Sequence, residues 1–397
     1  MTYYRSKVDL LVALIIGLMV QLLSWQAAAE TNPKYFVDDF EDLNLVDDTP
    51  VSWGIWGEHI GPKSIDASIG DLVVTATSAV YAGVGELSDV AYTYEDVSIR
   101  SQVAVASGQR WFYTGLYARA NDLGMYDAGI TSGDHWLPNA IHIARWSWED
   151  EGRIDSLRSV PTHLDPSQHD VLLQFDVAGD TLTLTAWEAG TPKELGQTIS
   201  VRDLQFQQGN VGVEYFVTTQ PPVANPAPGT YRYYAVAPQA RVFDSDFTGD
   251  MEFNISDLNA MLAKGPVSPG VPVVLGVNEQ FDLTGDGLID SADVDRWLAD
   301  AAIINGTASP YKRGDINLDG LVDDTDFNIW NAHKFTSSLA WDDGDVNGDG
   351  FVDVSDFNVW NANKYTSSDS GAFVPEPALL PMLIPTFIAW SFRRKKR

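Results

Sequence analysis

Cysteine is absent from the 397 residues, which excludes disulfides, thiolate nucleophiles and cysteine-ligated metals. Stability must come from core burial and from whatever ions the chain binds. Basic residues are scarce as well: 25 Lys and Arg stand against 55 Asp and Glu, a formal net charge of −30. So little positive surface excludes nucleic acid as a partner and makes divalent cations the natural counter-charge. Helical periodicity is missing from residues 31–242, and phosphate-cradling glycine loops and serine or cysteine nucleophile motifs are missing throughout.

Two apolar runs stand at the ends. Arg5 and Lys7 precede the run Leu10 to Leu23, and Ala27 to Ala29 supply a small-residue cleavage site. That order reads as a signal peptide over residues 1–29, with Glu30 opening an exported chain. Over residues 374–397, Val374-Pro375-Glu376-Pro377 leads into Ala378 to Phe392 and then Arg393-Arg394-Lys395-Lys396-Arg397. About fifteen apolar residues before a positive stop read as a short transmembrane helix, suited to transient rather than permanent anchoring. The order of Pro-Glu-Pro, apolar helix and basic end resembles the PEP-CTERM sorting signal of bacteria. That resemblance implies an exosortase-type processing protease as partner, transient residence in the membrane, and delivery to the cell surface or an extracellular matrix.

Residues 30–242 alternate apolar and polar side chains, with Gly, Asn or Asp at the turns. Val171, Leu173, Phe175 and Val177 precede Ala178-Gly179-Asp180, and Leu182, Leu184 and Ala186 follow it, which predicts a hairpin of two half-buried strands. Val211, Val213, Tyr215 and Val217 repeat the pattern, and Tyr231 to Ala237 read as a last strand beyond the Pro-rich loop Pro221 to Pro228. A region of this length predicts one sandwich or barrel. Its segments Asp38-Asp39-Phe40-Glu41-Asp42, Val97-Ser98-Ile99-Arg100, Gly115-Leu116-Tyr117-Ala118-Arg119-Ala120 and Gly209-Asn210-Val211-Gly212-Val213 look like the concanavalin-like jelly-roll family. Lectins, laminin-G-like modules and several glycosidases share that fold, so it assigns no activity by itself.

Residues 243–372 hold 24 acidic and 6 basic side chains, arranged as four loops. A calcium ion takes about six to eight oxygens, which a twelve-residue loop supplies from positions 1, 3, 5, 7, 9 and 12. The first set is Asp246, Thr248, Asp250, Glu252, Asn254 and Asp257; the second is Asp282, Thr284, Asp286, Leu288, Asp290 and Asp293. The third is Asp315, Asn317, Asp319, Leu321, Asp323 and Asp326; the fourth is Asp345, Asn347, Asp349, Phe351, Asp353 and Asp356. Leu321 and Phe351 would serve through their carbonyls. Position 6 is Gly287, Gly320 and Gly350 in the later loops but Met251 in the first, which is therefore expected to bind weakest. A helical run follows each loop, and Asp326-Phe327-Asn328-Ile329-Trp330-Asn331-Ala332 nearly repeats as Asp356-Phe357-Asn358-Val359-Trp360-Asn361-Ala362. Phe and Trp on one face predict that the twin helices pack together.

This loop-then-helix unit resembles the type I dockerin, as two pairs of repeats over 243–308 and 309–370. The resemblance implies Ca2+ as cofactor and a cohesin-like or other surface protein as partner. Loop positions 10 and 11 read Ile255-Ser256, Ser291-Ala292, Asp324-Thr325 and Val354-Ser355, without the repeated Ser-Thr pair of many cellulosomal dockerins.

The sandwich carries no Glu-x-Asp-x-x-Glu run of the kind found in concanavalin-like glucanases. Within Trp148-Glu149-Asp150-Glu151 the consecutive acids would point to opposite faces of a strand, so no catalytic residue is assigned. His142, Trp146 and Trp148 fall on one strand face and are the candidate substrate-binding residues, for a polysaccharide. The expected fold class is mainly β: a concanavalin-like jelly-roll β-sandwich followed by small α-helical calcium modules. The expected function is a non-catalytic carbohydrate-binding or adhesion role. A glycoside hydrolase carrying dockerin modules and a structural surface protein that binds no glycan are the alternatives.

Overall fold

A computed structural model describes residues 35–41, 43, 53–54, 63–67, 70–76, 82–86, 93–106, 112–132, 139–148, 153–217, 228–274 and 277–369. Contacts divide the chain into two units, Met1–Ala240 and Arg241–Arg397.

Alternation along the first unit becomes two antiparallel sheets. The strands are β1 (Phe36–Asp38), β2 (Trp53–Gly54), β3 (Lys63–Asp66), β4 (Leu72–Ala76), β5 (Ala82–Glu86), β6 (Val97–Val105), β7 (Phe112–Asn121), β8 (Gly124–Thr131), β9 (Ala140–Ser147), β10 (Arg153–Pro161), β11 (Val171–Ala178), β12 (Thr181–Glu188), β13 (Gln197–Arg202), β14 (Asn210–Val217) and β15 (Gly229–Ala237). One sheet runs β13-β12-β11-β6-β15-β4-β3, with β1 also on β15; the other runs β10-β9-β8-β7-β14-β5-β2. The expected hairpin forms as β11 and β12, where Gly179 takes a φ of 55° that costs a residue without Cβ little. Phe175, Leu184 and Val236 of one sheet meet Leu116, Ile143 and Val213 of the other in a single core. Burying each such side chain contributes roughly 1.5–3 kcal/mol. The first unit is thus a β-sandwich.

Among its described residues the second unit adds four small helices: α1 (Ile255–Leu262), α2 (Ser291–Ile304), α3 (Asp324–His333) and α4 (Val354–Asn363). Each begins with the same device. Loop position 9 (Asn254, Asp290, Asp323, Asp353) accepts a backbone N–H of the first turn, and position 12 (Asp257, Asp293, Asp326, Asp356) reaches back to the cap's own N–H. A good N-cap is worth about 1 kcal/mol, so the loops start the helices that follow them. Phe327 lies 5.1 Å from Trp360, and Trp330 lies 5.1 Å from Phe357, so α3 and α4 exchange equivalent aromatic contacts.

The expected membrane span requires correction. No helix among the described residues is long and apolar enough to cross a membrane. The stretch 378–392 and the segment 1–29 expected to be a signal peptide lie outside the described residues. Membrane residence, the sorting partner and the surface localisation inferred from that span are withdrawn with it.

Candidate functional site

The alternation that fills the core places a second set of residues on the outer face of the β7–β8–β9–β14 region. These are Tyr113, Gly115 and Tyr117 on β7, Asp127 and Gly129 on β8, His142 and Trp146 on β9, and Gly212 and Glu214 on β14. Register aligns Glu214, Gly115, Gly129 and His142 in one row across four strands, with Tyr117 beside Asp127 in the next. The glycines make room for tyrosines. A Cβ at Gly115 would collide with the Tyr113 hydroxyl, and one at Gly212 with that of Tyr117.

Two carboxyl groups are sealed into this face. Asp127 is 2% and Glu214 7% exposed, and Oδ1 of Asp127 and Oε2 of Glu214 have no hydrogen-bond partner among the described residues. An unsatisfied buried polar atom costs about 1–3 kcal/mol, and more when charged. The group relieves that cost by holding a proton. Burial first, and then the charge of Asp127, raise Glu214 well above the usual carboxylate range. Burial, then Asp127 and then Glu214 likewise hold the Tyr113 phenol in its neutral form. His142 brings Nε2 to 3.6 Å from Oδ2 of Asp127 and stacks on Tyr113, with centroids 4.9 Å apart and ring planes 6° from parallel. A protonated acid near a second carboxylate can perform general acid and general base catalysis.

Of the three residues expected to bind substrate, His142 stands in the carboxylate row. Trp146, 8% exposed, packs with Tyr117, Ala120 and Met125, and its ring lies 6.2 Å from that of Trp148. Half-buried Trp148 donates its Nε1–H to the Asn121 carbonyl at 2.9 Å. Glu149, Asp150 and Glu151 lie outside the described residues. Asp127, Glu214 and Tyr113 escaped the sequence reading because it looked for acids along one strand. The available signal was a charged residue amid an apolar run, as in Val211-Gly212-Val213-Glu214-Tyr215.

The acidic loops form a second set of candidates. Asp246, Asp250 and Asp257 bring carboxylate oxygens within 4.8 Å of one another, a small cluster able to coordinate a divalent ion. This is the loop with Met251 at position 6, where φ is 63°; Gly287, Gly320 and Gly350 take 90°, 88° and 91° at the same position. Asp315 and Asp345 are fully buried. Burial, reinforced by neighbouring carboxylates, lifts Asp315 to about 8 and Asp345 to about 7. Crowded oxygen donors that resist ionisation fit a hard cation, which would remove that resistance.

No protein-family model matches the chain. No curated protein matches it. Solved structures similar to it include a carbohydrate-binding module, CBM66, from Bacillus subtilis: 12% identity over 46% of this chain and 92% of that one, TM-score 0.33. Another is a xylan β-1,4-xylosidase from Bacillus halodurans, at 14% identity over 50% of this chain and 38% of the enzyme, TM-score 0.35. A third is a β-1,3-glucanase from Mycobacterium marinum, at 12% identity over 51% and 98%, TM-score 0.34. Binding modules and enzymes thus both appear. The expected lean away from an enzyme is not upheld, because glycosidases and binding modules stand side by side among these structures. A carboxylate pair drawn from two strands was beyond the reach of a one-strand motif.

Proposed function

We propose that the sandwich is a carbohydrate-active enzyme that hydrolyses O-glycosyl bonds, with Glu214 as acid and Asp127 as the second carboxylate. The observation that carries this reading is the sealed pair on the outer sheet face, in which burial and the neighbouring Asp127 raise Glu214 well above the usual carboxylate range. Glycoside hydrolysis commonly uses two such groups on either side of the scissile bond. Glu214 gives its proton to the leaving oxygen as the C–O bond breaks. Asp127 takes a proton from the attacking water. Their strands are separated by β7 alone and their rows are offset by two residues, so the backbones stand about 12 Å apart. His142 borders the pair, and Trp146 and Trp148 would extend the substrate-binding face.

Turnover on a panel of glycans tests the reading. Glu214→Gln and Asp127→Asn should each lower kcat by about a hundredfold or more. No turnover by the wild-type chain across the panel, or turnover indifferent to both changes, would sink it.

We infer also that 243–308 and 309–370 are two dockerin-like pairs whose four loops hold Ca2+. Support comes from the recurrent cap geometry and the buried acids. Metal binding and folding are linked in such modules. Chelation should lower helical circular dichroism while leaving the sheet signal in place; an unchanged spectrum argues against it.

A further inference from the structure

We propose that His142 carries protons between the sealed carboxylate pair and solvent. The inference rests on the hydrolase reading for its purpose, though not for its test. After one turnover Glu214 has lost a proton and Asp127 has gained one. Asp127 must shed it and Glu214 must recover one, yet the two residues are only 2% and 7% exposed.

The surroundings leave few carriers. On β7 the phenols of Tyr113 and Tyr117 are themselves buried. On β14 the row holds Glu214 itself, and β5 places Gly83 opposite it. On β9 Ala144 stands across from Asp127, and His142 across from Gly129. Among the described residues on these strands, His142 is the titratable group that approaches the pair while keeping solvent access. Its side chain is 19% exposed, and its Nε2 lies 3.6 Å from Asp127 Oδ2. A slight approach or one bridging water completes the hydrogen bond. The stack on Tyr113 fixes the ring plane, so Nε2 stays aimed at the carboxylate.

The step balances without a co-reactant. The proton on Asp127 Oδ2 passes to Nε2, giving an imidazolium and a carboxylate. The imidazolium releases its Nδ1 proton to bulk water, leaving the Nε2–H tautomer. In the return direction water protonates Nδ1, the imidazolium gives its Nε2 proton to Asp127, and Asp127 passes it to Glu214, which restores both the first tautomer and the resting pair.

Rapid-mixing infrared spectroscopy on the full chain tests this. The buried carboxylic-acid band, identified by its loss in Glu214→Gln, is followed after a pH jump. His142→Gln should slow its relaxation by about tenfold or more, with the final amplitude unchanged. Added imidazole should restore the rate in proportion to its concentration, which no purely structural role predicts. His142→Asn is the second variant, and carbethoxylation of His142 in the wild-type chain repeats the experiment without a substitution. A relaxation unaffected by these changes, a slowing that imidazole leaves alone, or the absence of a band lost in Glu214→Gln overturns the relay. No substrate is needed, so a chain that turns over no glycan refutes the hydrolase reading while the relay is decided separately.

Discussion

Trp330 donates its indole N–H to the carbonyl oxygen of Asp353 at 2.9 Å, and Trp360 returns the same bond to Asp323 at 2.9 Å. Each tryptophan therefore closes a loop that belongs to the other repeat. The Asp315 and Asp345 loops are coupled through the helix pair, and neither can loosen alone without leaving an indole N–H of the other repeat without its acceptor.

Trp330→Ala tests that coupling. The residue is 8% exposed, so its truncation should cost about 3–5 kcal/mol and be felt in both loops. Trp330→Phe keeps most of the ring and loses the hydrogen bond, for a smaller cost of about 1–3 kcal/mol. Calcium titration of the full chain should show affinity falling at the Asp345 loop as well as at the Asp315 loop. A loss confined to one loop would mean that the exchange of contacts carries no coupling.

In the first loop, Met251 occupies a left-handed conformation, with φ of 63°. Relief of that strain is worth about 1–2 kcal/mol. Met251→Gly should then tighten binding at the Asp246 cluster by about five- to thirtyfold, as calorimetry can measure. Unchanged affinity would show that the loop accommodates the side chain without penalty.

The pH dependence has a definite sign. Asp315, held at about 8, and Asp345, held at about 7, keep protons in the folded metal-free chain that the unfolded chain has released above its ordinary value of 3.8. The folded state binds more protons across that interval, so stability of the metal-free second unit falls as pH rises from about 4 to about 8. Saturating calcium should reverse the slope, because protons then compete with the ion. Helicity measured during urea unfolding at several pH values, with and without chelator, checks both halves. A rising metal-free curve, or one that Asp315→Asn with Asp345→Asn leaves unchanged, would refute the account.

The legible parts of this molecule were those written in local spacing. Twelve-residue ligand order marked the loops, and period-two alternation marked β11, β12, β14 and β15. Asp127 and Glu214 had no such spacing signature, because strand register alone brings them into adjoining rows across the sheet. Trp146 was legible as an outward residue of β9, but not as the packing partner of Met125 and Tyr117, which depends on neighbouring strands. Alternation fixes the face of a residue and leaves its neighbours across the sheet undetermined.

Gly115 allows the tyrosine arrangement to be tested by substitution. A Cβ there would meet the Tyr113 hydroxyl and lie 2.8 Å from the Ala128 carbonyl oxygen, so Gly115→Ala should destabilise the sandwich by about 1–3 kcal/mol. Part of that cost comes from a single oxygen atom. Adding Tyr113→Phe removes the atom and should recover a measurable share, giving a coupling of about 0.5 kcal/mol or more in a double-mutant cycle. Thermal melts of the four proteins supply the numbers. Additive effects would mean that the hydroxyl adds nothing to the clash with the Tyr113 ring carbon Cζ, 2.5 Å away, and the Ala128 carbonyl. Coupled effects would mean that it is required where the tyrosine lies down, and with it the placement of the phenol beside Asp127 and Glu214.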